Sequence, residues 1–283
     1  MIGEILIFGT VQGALLALIA LGFSLVYGVG GVLNLAHGAF YLITAYVFYW
    51  SIPLYGLTIS AFIALVAVMG IGAATSLALI KPLQETHIGV VLVTFALAFF
   101  FEQFVKVAGD SKTHYIAPFV PGTVEFLGIT FQAQLVALVV GALILVAIVT
   151  LFINKSKIGK SIRAVSQDAE AAQLMGINTD MILMTSMVLS ALLVGVAAIL
   201  YAPGNFIAPR IGWGYLLFAF SVTIFGGMGS IPGSIIGAFI MGYATSFTDF
   251  FISPAFSETI PIIVILVMLL VRPRGLLGKK ELQ

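Results

Sequence analysis

The chain has 283 residues, of which 61% are hydrophobic and only 8% charged, and its formal net charge is +1. Soluble domains carry about 25% charged residues, so this composition excludes a soluble enzyme. It also excludes a disordered chain, because disorder needs low hydrophobicity and high charge. The near-zero charge offers no basic tract for nucleic acid, and with no cysteine there is no disulfide or thiolate site. The surface must face lipid, and the sequence predicts an integral membrane protein.

Apolar runs follow one another along the whole chain. A spanning helix needs about 20 mostly apolar residues, and the runs are continuous rather than alternating, which argues against strands. The sequence predicts an all-α, polytopic membrane protein with roughly eight or nine transmembrane segments, some broken, forming a single transmembrane domain over residues 1–283. The runs are Ile5–Tyr27, Leu33–Trp50, Leu57–Ile80, Ile88–Val107, Phe131–Ile153, Met181–Ala202, Tyr215–Phe225 with Ser234–Phe250, and Ile260–Val271.

Basic residues concentrate in three places: the connection 155–163, the tail from Arg272 onward, and Lys81. Cytoplasmic loops are enriched in Lys and Arg, so residues 154–180 and the C-terminus are expected to face the cytoplasm. Counting spans outward from these regions makes the stretch 215–250 cross twice and places the N-terminus outside.

Two glycine-rich stretches interrupt the apolar runs. Residues 27–31 lead into 34–38, and residues 225–233 lead into 237–239; each leads into a Gly-Ala-Phe step, Gly38–Phe40 and Gly237–Phe239. Irregular backbone at membrane depth survives only where protein or a water-filled cavity satisfies its polar groups. Paired interruptions of this kind point to a transport pathway. The alternative is two ordinary turns at the membrane surface, with the Gly-Ala-Phe match arising by chance.

Four residues in these stretches are candidates for a translocation pathway: Asn34, His37, Gly226 and Gly227. Asn34 and His37 would line the route or hold the broken helix by hydrogen bonds. The alternative for Asn34 is that it caps the following helix, and for His37 that it lies in the first turn, bonded to backbone.

The sequence narrows the source of energy for transport. No Gly-x-x-x-x-Gly-Lys-Ser/Thr loop is present, so this chain does not bind ATP by that route. The acids lie near span ends, Glu102 and Asp249 being the nearest to embedded, which disfavours coupling to an ion gradient. The three scattered histidines (His37, His87 and His114) offer neither a catalytic cluster nor a metal site.

The largest polar connection, residues 154–180, predicts a short amphipathic helix. Asp168 can cap it and Glu170 suits the positive end of its dipole, while Gly176 is a plausible stop. Val165, Leu174 and Met175 are the expected contacts if the helix docks in a groove of a partner. The alternative is a surface helix that only links two spans.

Four landmarks in family order resemble the branched-chain amino-acid permeases of ATP-binding-cassette (ABC) importers, and the compact N-terminus resembles the LivH-type rather than the longer LivM-type subunit. Glu170-Ala171-Ala172 followed by Gly176 resembles the "EAA" coupling loop of such permeases. The other landmarks are Asn34–Gly38, the run 225–233, and the tail 271–276.

The resemblance implies a heteromeric importer, in which this chain pairs with a second, LivM-type permease, two cytoplasmic ATPases and an extracytoplasmic substrate-binding protein in the cell (inner/plasma) membrane. It implies no cofactor on this chain, with ATP and Mg on the ATPases, and no catalytic residue. Family members also carry urea and short amides, and a gradient-driven carrier or channel stays open as an alternative. The residues implied in coupling are Arg163, Asp168, Glu170, Ala171, Ala172, Leu174, Met175 and Gly176.

Overall fold

The computed structural model describes residues 2–84, 86–109, 111–126, 128–272 and 274–278. It is built almost entirely of α-helices, with two small two-stranded antiparallel sheets at one end. The helices are α1 Ile2–Gly30, α2 His37–Ala74, α3 His87–Gly109, α4 Ala133–Lys155, α5 Lys157–Val165, α6 Ala169–Leu174, α7 Thr179–Tyr201, α8 Ile211–Gly226, α9 Ile231–Phe251, α10 Pro254–Ser257 and α11 Ile260–Val271. A π-helical turn, Thr75–Ile80, and a 3-10 turn, Lys81–Leu83, follow α2. The strands are β1 His114–Tyr115, β2 Thr123–Phe126, β3 Ile129–Gln132 and β4 Phe206–Ile207. Strand β1 pairs with β4, and β2 pairs with β3.

Helix α2 is two helices that meet at Gly56, where φ is 72° and ψ is 172°. Glycine adopts this conformation because it has no Cβ. A Cβ built on Gly195 of α7 would lie 2.9 Å from Val68 and 3.5 Å from Thr44. Val68 lies twelve residues after Gly56 and Thr44 lies twelve residues before it, yet both lie beside Gly195. The chain therefore turns back at Gly56, and α2 crosses the bundle twice.

The number of apolar segments agrees with the predicted fold class. Seven helical stretches in the described residues are long and apolar enough to span a membrane, and α8, with 16 residues, is a shorter apolar helix. The reversal at Gly56 divides one of the seven stretches into two, which makes eight, and α8 is the ninth. The described residues therefore form nine apolar segments. The prediction of an all-α, polytopic protein with roughly eight or nine spans, some broken, is confirmed.

Helix α1 occupies the centre of the bundle, where its residues from Ala14 to Val26 are almost entirely buried. It packs against α9 through small residues: a Cβ on Gly13 would collide with Phe239, and one on Gly242 would collide with the Gly13 backbone. In lipid, such close backbone approach supplies the van der Waals packing that holds helices together. The glycine spacing at Gly9 and Gly13 is therefore used for helix packing.

The two ends of the bundle differ in chemistry. The basic end carries Lys81, Lys155, Lys157, Lys160 and Arg163, and the strand end carries the four β-strands. Lys81 forms an ion pair of 3.0 Å with Asp180, which ties the turn after α2 to the start of α7.

The tail returns to the basic end after α11. The Leu276 and Leu277 N–H groups donate to the Phe225 and Gly226 carbonyls at 2.8 and 2.9 Å. These carbonyls lie in the last turn of α8 and have no helical partner of their own, so the tail caps α8. Pro273 of the predicted tail motif lies outside the described residues. Residues 279–283 of the predicted basic tail also lie outside them.

Candidate functional site

The first interruption lies between α1 and α2, where residues 31–36 leave helical geometry. Gly31 has φ 61°. The Leu35 N–H donates to Thr94 Oγ1 at 3.1 Å, and the Ala36 N–H donates to Asn34 Oδ1 at 3.0 Å. One buried and one partly buried backbone donor are thus satisfied by side chains, as irregular backbone inside a membrane requires.

The structure corrects the expected capping role of Asn34. Helix α2 begins at His37 and Ala36 holds its N-cap position, without a side-chain capping bond. Asn34 instead closes a turn onto the Ala36 N–H, two residues ahead, and its Nδ2 contacts Met187 Sδ at 3.7 Å. It orders the entry to the helix and does not cap it, so the span begins later than the predicted Leu33.

His37 joins three helices in the middle of the bundle. Its Nε2 lies 2.8 Å from the Ile19 carbonyl oxygen of α1, and its Nδ1 lies 3.2 Å from Ser190 Oγ of α7. Ile19 and Ser190 stand eleven residues from the basic ends of their helices. At a rise of 1.5 Å per residue, His37 lies about 16 Å from that end, which is half of a hydrocarbon core about 30 Å thick. His37 therefore lies in the first turn of α2 and bonds to backbone, as the alternative prediction stated. The backbone partner is the Ile19 carbonyl of the neighbouring helix α1.

The second interruption, between α8 and α9, lies at the basic end and is closed by glycines. Gly227 and Gly229 have φ of 106° and 76°. A Cβ on Gly226 would collide with the Gly233 carbonyl, and one on Gly28 would lie 3.4 Å from the Gly229 Cα. The backbones of α1, α8 and α9 therefore meet directly at this point.

Both Gly-Ala-Phe steps pack against α8. A Cβ on Gly38 would collide with the Gly212 carbonyl near the start of α8, and one on Gly237 would lie 3.0 Å from the Val222 carbonyl oxygen near its end. The two interrupted stretches thus flank the same short helix. Gly226, Gly227, Asn34 and His37 remain predictions as pathway residues.

The connection 154–180 folds into two short helices at the basic end. Ser156 caps α5 by accepting from the Gly159 N–H at 2.8 Å, and Asp168 caps α6 by accepting from the Ala171 N–H at 2.9 Å. Helix α6 stops at Gly176, where φ is 82° and the Ile177 N–H returns to the Ala172 carbonyl at 3.0 Å. The predicted cap and stop are therefore both present.

The side chains of this connection divide into buried and exposed groups. Ala172 is buried, whereas Leu174 and Met175 are 89% and 83% exposed. Val165 is 5% exposed and packs into the core, so the expectation that it contacts a partner is wrong. The remaining coupling candidates of α6, Glu170 and Ala171, are exposed.

Arg163 lies on α5 and faces a cavity rather than the tip of the connection. Its Nη1 donates to Asn154 Oδ1 at 3.1 Å and its Nη2 to the Asn154 carbonyl at 3.4 Å. The cavity, called the inner cavity below, has a volume of about 570 Å³ and lies between α1, α4, α5 and the start of α9. Its polar lining residues are Ser24, Thr150, Asn154, Arg163, Ser166 and Ser230.

Comparison with known proteins places these features in a family. The family described as "Branched-chain amino acid transport system / permease component" matches residues 5–270. This chain belongs to that permease family. The permease is 29% identical over 295 residues to BraD of Pseudomonas aeruginosa, covering 98% of this chain and 96% of BraD. BraD is named a high-affinity branched-chain amino acid transport system permease protein.

Two further relatives extend the comparison. The permease is 30% identical to LivH of Salmonella typhimurium, covering 97% of this chain and 95% of that protein. It is 28% identical to a probable LivH of Methanocaldococcus jannaschii, covering 93% and 89%. No solved structure matches the chain significantly. The family resemblance seen in the sequence is confirmed: the permease is a multi-pass membrane transport component of a multi-subunit system and is not an enzyme.

One charged cluster of the permease lies toward the strand end, on α3. The Glu102 carboxylate pairs with Lys106 at 2.5 Å and lies 3.7 Å from Arg210 Nε. The Trp213 indole N–H donates to its second oxygen at 2.5 Å. Because Arg210 and Trp213 flank the start of α8, Glu102 anchors that helix to α3. This acid is paired locally and does not join a relay of carboxylates.

Sequence reasoning missed the inner cavity and helix α5. No local motif marks the cavity, since its walls come from five separate segments, including Leu277 of the tail. A signal for α5 was present: Ser156 precedes Lys157–Val165, in which Gly159, Ile162 and Val165 are buried at helical spacing. Within the part of the chain that the structure describes, no three His, Cys, Asp or Glu side chains lie close enough together to hold a metal ion.

Proposed function

We propose that the permease is a transmembrane subunit of an ABC importer for branched-chain or related amino acids. It forms part of the translocation pathway with a second, LivM-type permease subunit. Two cytoplasmic ATPases bind ATP and Mg and drive the transport, and an extracytoplasmic binding protein delivers the cargo.

The observation that carries the proposal is the exposed apolar tip of α6. Leu174 and Met175 extend almost wholly into solvent from a capped helix at the basic end. Large apolar side chains exposed together on a soluble loop favour a partner surface. Burying the two against a partner would stabilise the contact by about 3–5 kcal/mol before the losses of association. A short helix inserted into a groove of one of the ATPases accounts for this arrangement.

The distribution of charge supports a cytoplasmic orientation of the basic end in the inner (plasma) membrane. Lys155, Lys157 and Lys160 are exposed there, and cytoplasmic loops are enriched in such residues. This orientation puts residues 154–180 and the C-terminus in the cytoplasm, where ATPases would reach α6. Helix α1 runs antiparallel to α7, since Gly30 lies beside Leu183 and Gly22 beside Ser190, which gives an external N-terminus.

The cargo rests on the relatives. BraD and LivH of Salmonella typhimurium are named for high-affinity branched-chain amino acid transport, and they align over nearly the whole permease. A binding protein that selects the cargo relieves the permease of any need for a deep specific pocket. Urea and short amides are the alternative cargo within the family.

The test is reconstitution of the permease with its partner subunits in vesicles, with labelled leucine and the binding protein outside. Uptake is expected only with ATP inside. Uptake driven by a proton or sodium gradient without the ATPases would overturn the proposal in favour of a secondary carrier. Labelled urea and acetamide, run in parallel, test the cargo.

A matched pair of variants tests the role of α6. The double variant Leu174→Ser/Met175→Ser removes the apolar tip, and uptake is expected to fall at least tenfold while the protein stays folded, because both side chains are exposed. Gln167→Ala changes an exposed residue just before α6 and is the control. Wild-type uptake by the double variant would exclude α6 as the coupling contact.

A further inference from the structure

The inner cavity joins the coupling connection to the second interruption. Ile162 and Arg163 of α5, with Ser166 just after it, form one wall, and Ser230 and Pro232 at the start of α9 form another. Its volume of about 570 Å³ falls within the range of small-molecule sites, about 300–1,000 Å³. An occupant would therefore touch both the segment that leads to α6 and the glycine-closed break.

Two hydroxyl groups in the lining have no hydrogen-bond partner in the described structure. They belong to Ser24 of α1, which is 1% exposed, and to Thr150 of α4. Other helical threonines of the permease, such as Thr44 and Thr223, bond the carbonyl four residues earlier. A buried hydroxyl without a partner is unfavourable, so both groups indicate a missing polar partner.

Arg163 adds an uncompensated positive charge. Both of its bonds go to neutral oxygens of Asn154, and within the described ranges it forms no ion pair with a carboxylate. A guanidinium has five N–H donors in a planar fork that matches a carboxylate, so donors remain for a ligand. The rest of the lining is aliphatic, including Leu25, Val29 and Ile235.

We propose that the inner cavity is a cytosolic-side regulatory site for a small aliphatic carboxylate. The carboxylate of this ligand binds Arg163, and its other polar groups bind the Ser24 and Thr150 hydroxyls. Aliphatic amino acids have this chemistry, so the inference rests on the proposed function. An occupant bridging α5 and α9 holds the coupling connection against the break. Cargo that accumulates inside therefore slows further uptake.

The binding test uses the complete complex in nanodiscs of neutral phosphatidylcholine, without the binding protein or ATP, and labelled L-leucine as the probe. Thr150→Val removes one hydroxyl at nearly constant shape, and leucine binding is expected to weaken about tenfold, the loss of one good hydrogen bond. 4-Methylpentanoate, which keeps the carboxylate, should compete, whereas leucinamide should not. Thr185→Val is the control, because the Thr185 hydroxyl already bonds the Met181 carbonyl and lies outside the cavity.

The transport test measures the initial ATP-driven uptake rate in vesicles preloaded with unlabelled leucine. The internal concentration that halves the rate is expected to rise about tenfold in Thr150→Val and to stay unchanged in Thr185→Val.

The outcomes separate this site from the proposed function. If wild type takes up leucine with ATP but Thr150→Val alters neither binding nor internal inhibition, the site is wrong and the importer stands. If wild type shows no ATP-driven uptake, the proposed function itself fails. If nanodiscs of anionic phosphatidylglycerol abolish leucine binding, a lipid phosphate occupies the cavity and the amino-acid assignment is overturned.

Discussion

The two interruptions of the permease look alike in sequence but are held together by different forces. The break before α2 runs from the basic end to mid-depth and is held by side-chain hydrogen bonds of Asn34, Thr94 and His37. The break before α9 lies at the basic end and is held by direct backbone approach at Gly226 and Gly233. An interruption of a buried helix can be stabilised by side chains that bond the free backbone groups, or by glycines that let two backbones touch. This chain uses side chains at the first interruption and glycines at the second.

The glycine-closed break is expected to be the more sensitive to substitution. In Gly226→Val the new side chain would collide with the Gly233 carbonyl, and backbone cannot move aside as a flexible side chain can. We expect a loss of more than 3 kcal/mol in the free energy of unfolding. The measurement is the yield of monodisperse protein after detergent extraction.

Gly70→Val serves as the control for that variant, because a Cβ on Gly70 would have no atom within 4 Å, and normal yield is expected. Normal yield of Gly226→Val as well would show that α8 and α9 do not meet as described.

The polar break tests the other half of the comparison. His37→Leu leaves the Ser190 hydroxyl without its partner in a buried site, and we expect the free energy of unfolding to fall by about 2 kcal/mol. Unfolding in mixed detergent micelles measures this loss. His87→Leu, at an exposed helix start, should change it little; equal effects of the two variants would remove His37 from its assigned role.

Thr94→Val probes a single bond of the same break. The change keeps the side-chain shape but removes the acceptor for the Leu35 N–H. A loss of about 1 kcal/mol is expected, measured by the same unfolding experiment. Asn34 remains bonded to the Ala36 N–H, so the turn should persist. An unchanged unfolding midpoint would mean that another group satisfies Leu35.

The smallest effect is expected at Glu102, whose carboxylate is buried but whose partners Lys106 and Arg210 reach solvent. Glu102→Gln removes the ion pairs with Lys106 and Arg210 but keeps an acceptor for the Trp213 indole. Arg210 is largely exposed and such pairs contribute little, so the expected loss is below about 1 kcal/mol. Fluorescence of the tryptophans during unfolding measures it. A loss as large as that of His37→Leu would show that the Glu102 cluster stabilises the fold as much as the polar break does, and is not only a local anchor.

Local signals in the sequence were enough for several elements. The cap at Asp168 and the stop at Gly176 follow from side-chain and backbone chemistry within a few residues, and the structure reproduces both. Val165 failed because its burial depends on how α5 lies against the bundle. Asn34 failed as a cap because the turn it closes ends one step before the helix, a difference in backbone angle that composition does not carry.

The sequence by itself determined that the permease spans a membrane, how many apolar segments it has, where they are interrupted and which end is basic. These properties depend on the residues of one segment and on the solvent around it. Only the tertiary structure decided which glycines touch, which helix supplies the partner of His37, and where Ser24, Thr150 and Arg163 form the inner cavity. Those properties depend on contacts between different helices, such as His37 with Ser190, which are 153 residues apart in the chain, because packing in lipid is set by the fit of whole helix faces.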